Sequence, residues 1–194
     1  MNGLRDKLLA ALNQPSGDSS DFDLNPGVTP PGTPLRDAGV LAAFYPDGQL
    51  ILTKRSSALR HHPGQIALPG GKVEPSDGGV IGAALREAHE EIGLPRDGVE
   101  ILGTLPAHRT VTSFRMVPVL ALVTAPFTPM PEQGEVDEIF TLPFAHIADP
   151  ARYRIERRMW GGQWRAYRAA PFGPYYLWGA TARVLYGLAE RLNR

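Results

Sequence analysis

Three carboxylates on one short helix constrain this chain more than any other feature. The run Arg86-Glu87-Ala88-His89-Glu90-Glu91-Ile92-Gly93-Leu94 has an apolar repeat of helical period, and Gly93 followed by Pro95 predicts where the helix stops. At about 100° per residue, with Glu87 at zero, Glu91 falls near +40° and Glu90 near −60°. Ile81, Ala84, Leu85, Ala88 and Ile92 lie between about +60° and +160° on the same wheel. The acids therefore border the buried stripe instead of lying opposite it. Like charges at i,i+3 and i,i+4 repel. A chain that gathers them beside its core either solvates an edge or holds a hard cation there, and the placement favours a partly enclosed site. Arg86 and Glu90 have the spacing of a helical ion pair. His89 points to the far side of the stripe and is a poor ligand.

Around this helix, over residues 79–92, strand and turn signals alternate. Residues 1–14 read as an amphipathic helix built on Leu4, Leu8, Leu9 and Leu12. Residues 13–36 are rich in Ser, Asp, Gly and Pro and read as a linker or an extended wrap. Apolar runs at 39–45 and 49–53 flank Pro46-Asp47-Gly48, a hairpin signal. A polar loop at 55–65 leads to a short strand at 66–68 and a turn at Pro69-Gly70-Gly71. Further strands are expected at 99–105, 114–124 and 136–142, a short helix at 144–147, a hairpin around Gly161-Gly162, and a closing amphipathic helix at 178–192. Strands before and after one central helix predict a mixed α/β layered domain.

The formal net charge of +0 argues against a protein that depends on broad polyanion attraction. There is no Cys, which excludes disulfides, thiolate chemistry and Cys-based zinc sites. No apolar run approaches the ~20 residues of a membrane span, and the N-terminal helix is too charged for a signal-peptide core. These features lead us to expect a cytoplasmic enzyme or binding protein with no membrane partner. Oligomeric state is not set by the sequence.

The segment from Gly71 to Leu94 resembles a Nudix box, whose second half is complete in Arg86, Glu87, Ala88, Glu90, Glu91, Gly93 and Leu94. The first half departs from the usual spacing. Lys72 stands where the first Gly is usual and Gly78 where a Glu is usual, with Gly70 and Gly71 just upstream and Glu74 and Asp77 as the nearby acids. The loop is about one residue longer than the common form. Residues 52–71, which include Arg55, Arg60, His62, Gln65, Gly70 and Gly71, resemble the motif of the coenzyme A pyrophosphatase branch of Nudix hydrolases. That branch also lengthens the loop. Residues 135–140 and 178–183 resemble later segments of the same branch.

The resemblance implies a Nudix fold, an α/β/α sandwich with a mixed β-sheet, over residues 37–194, preceded by an N-terminal helix and Pro/Gly-rich extension over 1–36. It also implies hydrolysis of a nucleoside diphosphate derivative, with coenzyme A or its derivatives the expected small-molecule substrate. ADP-ribose or a related nucleotide, or a non-catalytic nucleotide-binding module, are the alternatives. A polyanionic substrate and a carboxylate helix are reconciled by a divalent cation, Mg²⁺ with Mn²⁺ as the second choice. Glu87 and Glu91 are the expected primary ligands and Glu90 an additional one. Arg86 would orient an acid through a charge-assisted hydrogen bond. Glu135 is the first candidate for general base and Glu90 the second. Asp137 and Glu138 read as ordinary strand-end residues. Arg55, Arg60, His62, Gln65, Gly70, Gly71 and Lys72 are expected to bind substrate. Six arginines between Arg152 and Arg168 interleave with Tyr153, Trp160, Trp164 and Tyr167. Strand alternation predicts arginines on one face of a solvated hairpin and aromatics on the other, and disfavours nucleic acid as a partner.

Overall fold

A computed structural model describes residues 2–30 and 32–194 of the chain. In order, its elements are α1 (Asn2–Leu12), β1 (Ser19–Ser20), β2 (Arg36–Phe44), β3 (Gln49–Arg55), β4 (Ile66–Ala67), β5 (Gly70–Lys72) and α2 (Val80–Ile92). There follow β6 (Val99–Thr104), β7 (His108–Arg109), β8 (Phe114–Val123), β9 (Val136–Pro143) and α3 (Phe144–Ile147). The chain ends with β10 (Arg154–Trp160), β11 (Gln163–Phe172), β12 (Tyr175–Trp178) and α4 (Gly179–Leu192).

Strands β2 and β8 pair in parallel at the centre of a nine-stranded mixed sheet. The β2 run Val40-Leu41-Ala42-Ala43-Phe44 is apolar throughout because both of its faces are covered. Val40, Ala42 and Phe44 pack with Leu8 and Ala11 of α1 and with Leu185 and Leu188 of α4. Leu41 and Ala43 face the other way, onto Ala84, Ala88 and Ile92 of α2. Helices on both faces of a mixed sheet make the expected α/β/α sandwich. Gly39 sets how closely α2 approaches: a Cβ there would lie 1.9 Å from the Val80 carbonyl oxygen.

Two local expectations are corrected. Gly70-Gly71 does not form a turn. Gly70–Lys72 is a strand paired antiparallel with β2, Gly39 lying opposite Gly71. The apolar runs about Pro46-Asp47-Gly48 do form β2 and β3, but these pair only at Phe44 opposite Leu50. Beyond that point β5 takes over the β2 edge, and the Leu41 N–H donates to the Pro69 carbonyl at 2.7 Å.

The described residues of the 13–36 segment take the form of a wrap, pinned at two places. Strand β1 pairs in parallel with β7, where His108 is fully buried. The His108 Nδ1 lies 2.9 Å from Ser19 Oγ, and its Nε2 lies 3.0 Å from Asp21 Oδ1. Further on, the Asn25 side chain accepts the Ala166 N–H at 2.8 Å and donates to the Ala166 carbonyl at 2.9 Å, acting as a strand partner for β11.

Strands β10, β11 and β12 form a separate antiparallel sheet. Its register corrects the expected segregation of arginines from aromatics. Trp160 lies opposite Gln163, Arg158 opposite Arg165 and Glu156 opposite Tyr167. Met159 pairs with Trp164, so Trp160 and Trp164 project to opposite faces and each face mixes both residue types.

Candidate active site

The carboxylate edge of α2 meets the end of β3, the strand β5 and the loop before β9. Arg86 is the hub. Its Nε donates to Asp77 Oδ1 at 2.8 Å and its Nη2 to Asp77 Oδ2 at 3.2 Å. Nη2 also donates to the Lys72 carbonyl at 3.1 Å. Nη1 reaches Glu90 Oε2 at 2.9 Å and Glu87 Oε1 at 3.0 Å. Asp77, at the end of a 3-10 turn over Pro75–Asp77, thus anchors Arg86, while Glu74 is exposed. The Arg86 guanidinium holds the Asp77 carboxyl below its ordinary range, with help from the Glu74 N–H.

Glu91 is the most enclosed acid, with 3% of its surface exposed. Its Oε2 accepts the Gly70 N–H at 3.1 Å, and Arg55 Nη1 stands 3.8 Å from its Oε1. Burial pushes the Glu91 carboxyl up to about 7; the Gly70 N–H and Arg55 oppose the rise, and Glu87 and Glu135 add to it. Burial also raises Glu87, against the pull of Arg86, and neighbouring Glu90 and Glu135 reinforce the rise. Gly71 makes room for this group: a Cβ there would lie 2.4 Å from Glu87 Oε1.

Glu135 reaches the acids because its loop is stitched to the end of α2. The Met130 N–H donates to the Ile92 carbonyl at 3.1 Å and the Glu132 N–H to the Glu91 carbonyl at 3.0 Å. The Ser56 N–H in turn donates to the Glu135 carbonyl at 2.8 Å. Asp137 accepts the Ser57 N–H at 2.9 Å and so fixes the start of the 56–65 loop, a role its strand-end position did not announce.

The fold therefore brings Arg55, Gly70, Gly71, Arg86, Glu87, Glu90, Glu91 and Glu135 to one edge. His62 and Gln65 line an adjoining cavity. Arg60 and the Lys72 side chain are exposed, and it is the Lys72 carbonyl that meets Arg86. Asp21, Asn25, Trp160, Arg165, Tyr167 and Trp178 also line the cavity. They come from segments far apart in sequence, and only the interleaving of aromatics with arginines hinted at them.

The acids offer hard oxygen donors, and burial leaves the charge of Glu87 and Glu91 only partly compensated by Arg55 and a shared Arg86. Among the described residues, no three His, Cys, Asp or Glu side chains are arranged to hold a metal ion by themselves. Carboxylate oxygens of this kind suit a hard divalent cation, whose shell water and phosphate oxygens would complete.

Residues 33–160 match the NUDIX domain. The Nudix hydrolase NudL of Enterobacter sp. (strain 638) is 40% identical over 163 residues, which span 81% of this chain and 83% of that protein. NudL of Cronobacter sakazakii is 36% identical over 175 residues, spanning 88% of this chain and 90% of its own. A MutT/nudix family protein from Enterococcus faecalis shares the fold at 15% identity, with a TM-score of 0.51 over 86% of this chain and 65% of its own. Among the described residues no helix is long and apolar enough to cross a membrane. Nudix hydrolases generally use divalent cations. The chain belongs to the Nudix family and is a pyrophosphohydrolase of nucleoside diphosphate derivatives.

Proposed function

We propose that this Nudix hydrolase uses Mg²⁺ to cut the diphosphate of coenzyme A or its derivatives. The products are 3′-phosphoadenosine 5′-phosphate and 4′-phosphopantetheine or its acyl form. One observation carries the reading: the segment resembling the coenzyme A motif touches the buried acid directly. Its Gly70 N–H is bonded to Glu91, its Arg55 stands 3.8 Å from the same carboxylate, and its His62 and Gln65 line the adjoining cavity.

In this reading Glu87 and Glu91 are the primary metal ligands and Glu90 the additional one. These carboxylates would hold a divalent cation, which would supply charge neutralisation for the diphosphate and activation of the attacking water. Arg86 fixes Glu87 and Glu90 against Asp77, so both carboxylates are oriented before substrate arrives. Glu135 takes the proton from the attacking water, held in reach by the loop stitched to Glu91 and Ile92. Arg55 stands beside the phosphate path.

The test is a panel of coenzyme A, ADP-ribose and nucleoside triphosphates incubated with the protein and Mg²⁺. Coenzyme A should be cleaved fastest, and Glu87→Gln and Glu91→Gln should each collapse the rate while leaving a folded protein. ADP-ribose cleaved far faster than coenzyme A would defeat the substrate assignment. Full activity in both variants would remove the metal ligands proposed here.

A further inference from the structure

A cavity beside the 61–65 loop lies between three segments that supply none of the active-site carboxylates. It measures about 360 Å³ and opens between the 13–36 wrap, the 61–65 loop and the β10–β11 hairpin. That volume is at the lower end of the range for small-molecule sites. One wall is aromatic: the Trp160 and Trp178 rings stand 6.3 Å apart, and Tyr167 meets Trp178 edge-on at 5.4 Å. Tyr167 is itself fixed, its hydroxyl 3.0 Å from that of Tyr176, which donates to Glu156. Arg165 also lines the cavity, and its Nε is buried with no hydrogen-bond partner among the described residues. By contrast, Asp21 and Asn25 in the opposite wall are already engaged, Asp21 with His108 and the Val111 N–H, and Asn25 with Ala166. His62 at the rim has φ 55°, a conformation uncommon for a non-glycine residue.

From these features we infer that the cavity seats the purine nucleoside end of the substrate, with the base against the aromatic wall and Arg165 facing a phosphate or base acceptor. The inference rests on the hydrolysis of a nucleoside diphosphate proposed above and adds to it which end of the molecule lies where. Flat π-faces select a base, because every base offers a π-face for stacking, whereas the pantetheine arm is aliphatic and offers none. Cavity and acids are linked through neighbouring residues: Gln65 lines the cavity, the Gln65 carbonyl accepts the Arg55 N–H at 2.9 Å, and Arg55 Nη1 stands 3.8 Å from Glu91. In this arrangement the N-terminal wrap is a wall of the site, held to the hairpin by Asn25.

The three tryptophans supply the experiment. Trp160 and Trp178 line the cavity, while Trp164 projects from the other face of the hairpin and is 65% exposed. Adenosine 3′,5′-bisphosphate titrated into the full chain in EDTA should quench tryptophan emission saturably. The Trp164→Phe variant should keep the quench and the affinity. Trp160→Ala should weaken binding by about tenfold or more, the loss expected of one base–aromatic stack, and in hydrolysis should raise KM more than it lowers kcat. Arg165→Gln should also weaken binding and gives a second variant should Trp160→Ala misfold. Glu91→Gln should bind the bisphosphate while losing turnover. If diphosphates are cleaved but no Trp160-dependent binding occurs, the cavity assignment falls and the hydrolytic reading stands. Trp160-dependent binding with no cleavage of any diphosphate would do the reverse. A quench by 4′-phosphopantetheine and not by the bisphosphate would overturn the orientation.

Discussion

Glu91→Gln should make the metal-free protein more stable, an effect opposite in sign to that of most substitutions at buried positions. Glu91 is 3% exposed and its carboxyl is pushed from an ordinary 4.5 up to about 7. At about 1.4 kcal/mol per pH unit, ionising it costs the fold about 3 kcal/mol relative to the unfolded chain. Gln removes the charge and keeps an oxygen to accept the Gly70 N–H. That bond is weaker to a neutral acceptor, so the net gain is about 2–3 kcal/mol. Because the folded value is the raised one, the unfolded chain ionises first as pH climbs. Wild type and variant should match below about pH 4.5, where the carboxyl is protonated in both states. Wild-type stability then falls away through the interval from 4.5 to 7, and the gap is full above 7.

The assay is thermal unfolding in EDTA at pH 8 and near pH 4.5. A gain of about 2–3 kcal/mol in a chain of this size moves Tm by roughly 4–12 °C, and the difference should close at the lower pH. Saturating Mg²⁺ should then reverse the order at pH 8. A ligand at about a thousand times its Kd stabilises the state it binds by about 4.1 kcal/mol, more than the variant's gain, and only wild type has both carboxylates to offer. A variant less stable than wild type in EDTA at pH 8 would refute the reasoning. It would mean that Arg55 and the Gly70 N–H already compensate the charge, leaving nothing for a cation to neutralise.

Three further outcomes follow from the same geometry. Gly71→Ala places a Cβ 2.4 Å from Glu87 Oε1; the carboxylate must move, and a shift on the order of 1 Å should lower kcat about 100-fold in a protein whose circular dichroism is unchanged. Asp77→Asn removes the charge that anchors Arg86, and should lower activity or Mg²⁺ affinity by about 10–100-fold, measured as kcat and as the Mg²⁺ concentration for half-maximal rate. Asn25→Ala breaks both bonds to Ala166, so the wrap should become cleavable by chymotrypsin after Phe22 within the native protein, with a stability loss of about 1–2 kcal/mol.

What the sequence displayed and what it hid divide along physical lines. The bounds of α2 were legible, expected at 79–92 and found at Val80–Ile92, because an amphipathic period and a Gly stop are local signals. The convergence of Glu87 and Glu91 on one edge followed from the helical repeat alone. Gly70–Lys72 did not read as a strand, since glycines carry no β-propensity and this pairing is conferred by β2, some thirty residues upstream. The hairpin faces were misread for another reason: period two alone puts Arg154, Arg158 and Trp160 on one face of β10, and Arg165 with Tyr167 on one face of β11, so arginines and aromatics never segregate. The aromatic cavity was invisible because it joins Asn25 to Ala166, a contact that no local pattern encodes.

The irregular entrance to the box has a structural answer in Asp77. With Gly78 at the usual acid position, a side chain from the neighbouring residue has to reach Arg86, and the 3-10 turn over Pro75–Asp77 delivers one. The Glu74 N–H donates to Asp77 Oδ2 at 2.7 Å, which holds the carboxylate in place for the two-pronged contact with the guanidinium. Arg86 is then free to spend its remaining nitrogen on Glu87 and Glu90 together. The longer loop thus keeps the anchor while moving it by one residue, and the strand β5 that follows from Gly70 carries its amide to Glu91. Loop length, anchor and buried carboxylate are one connected arrangement: shortening the loop would pull Asp77 off Arg86 and release two of the three acids that the site needs.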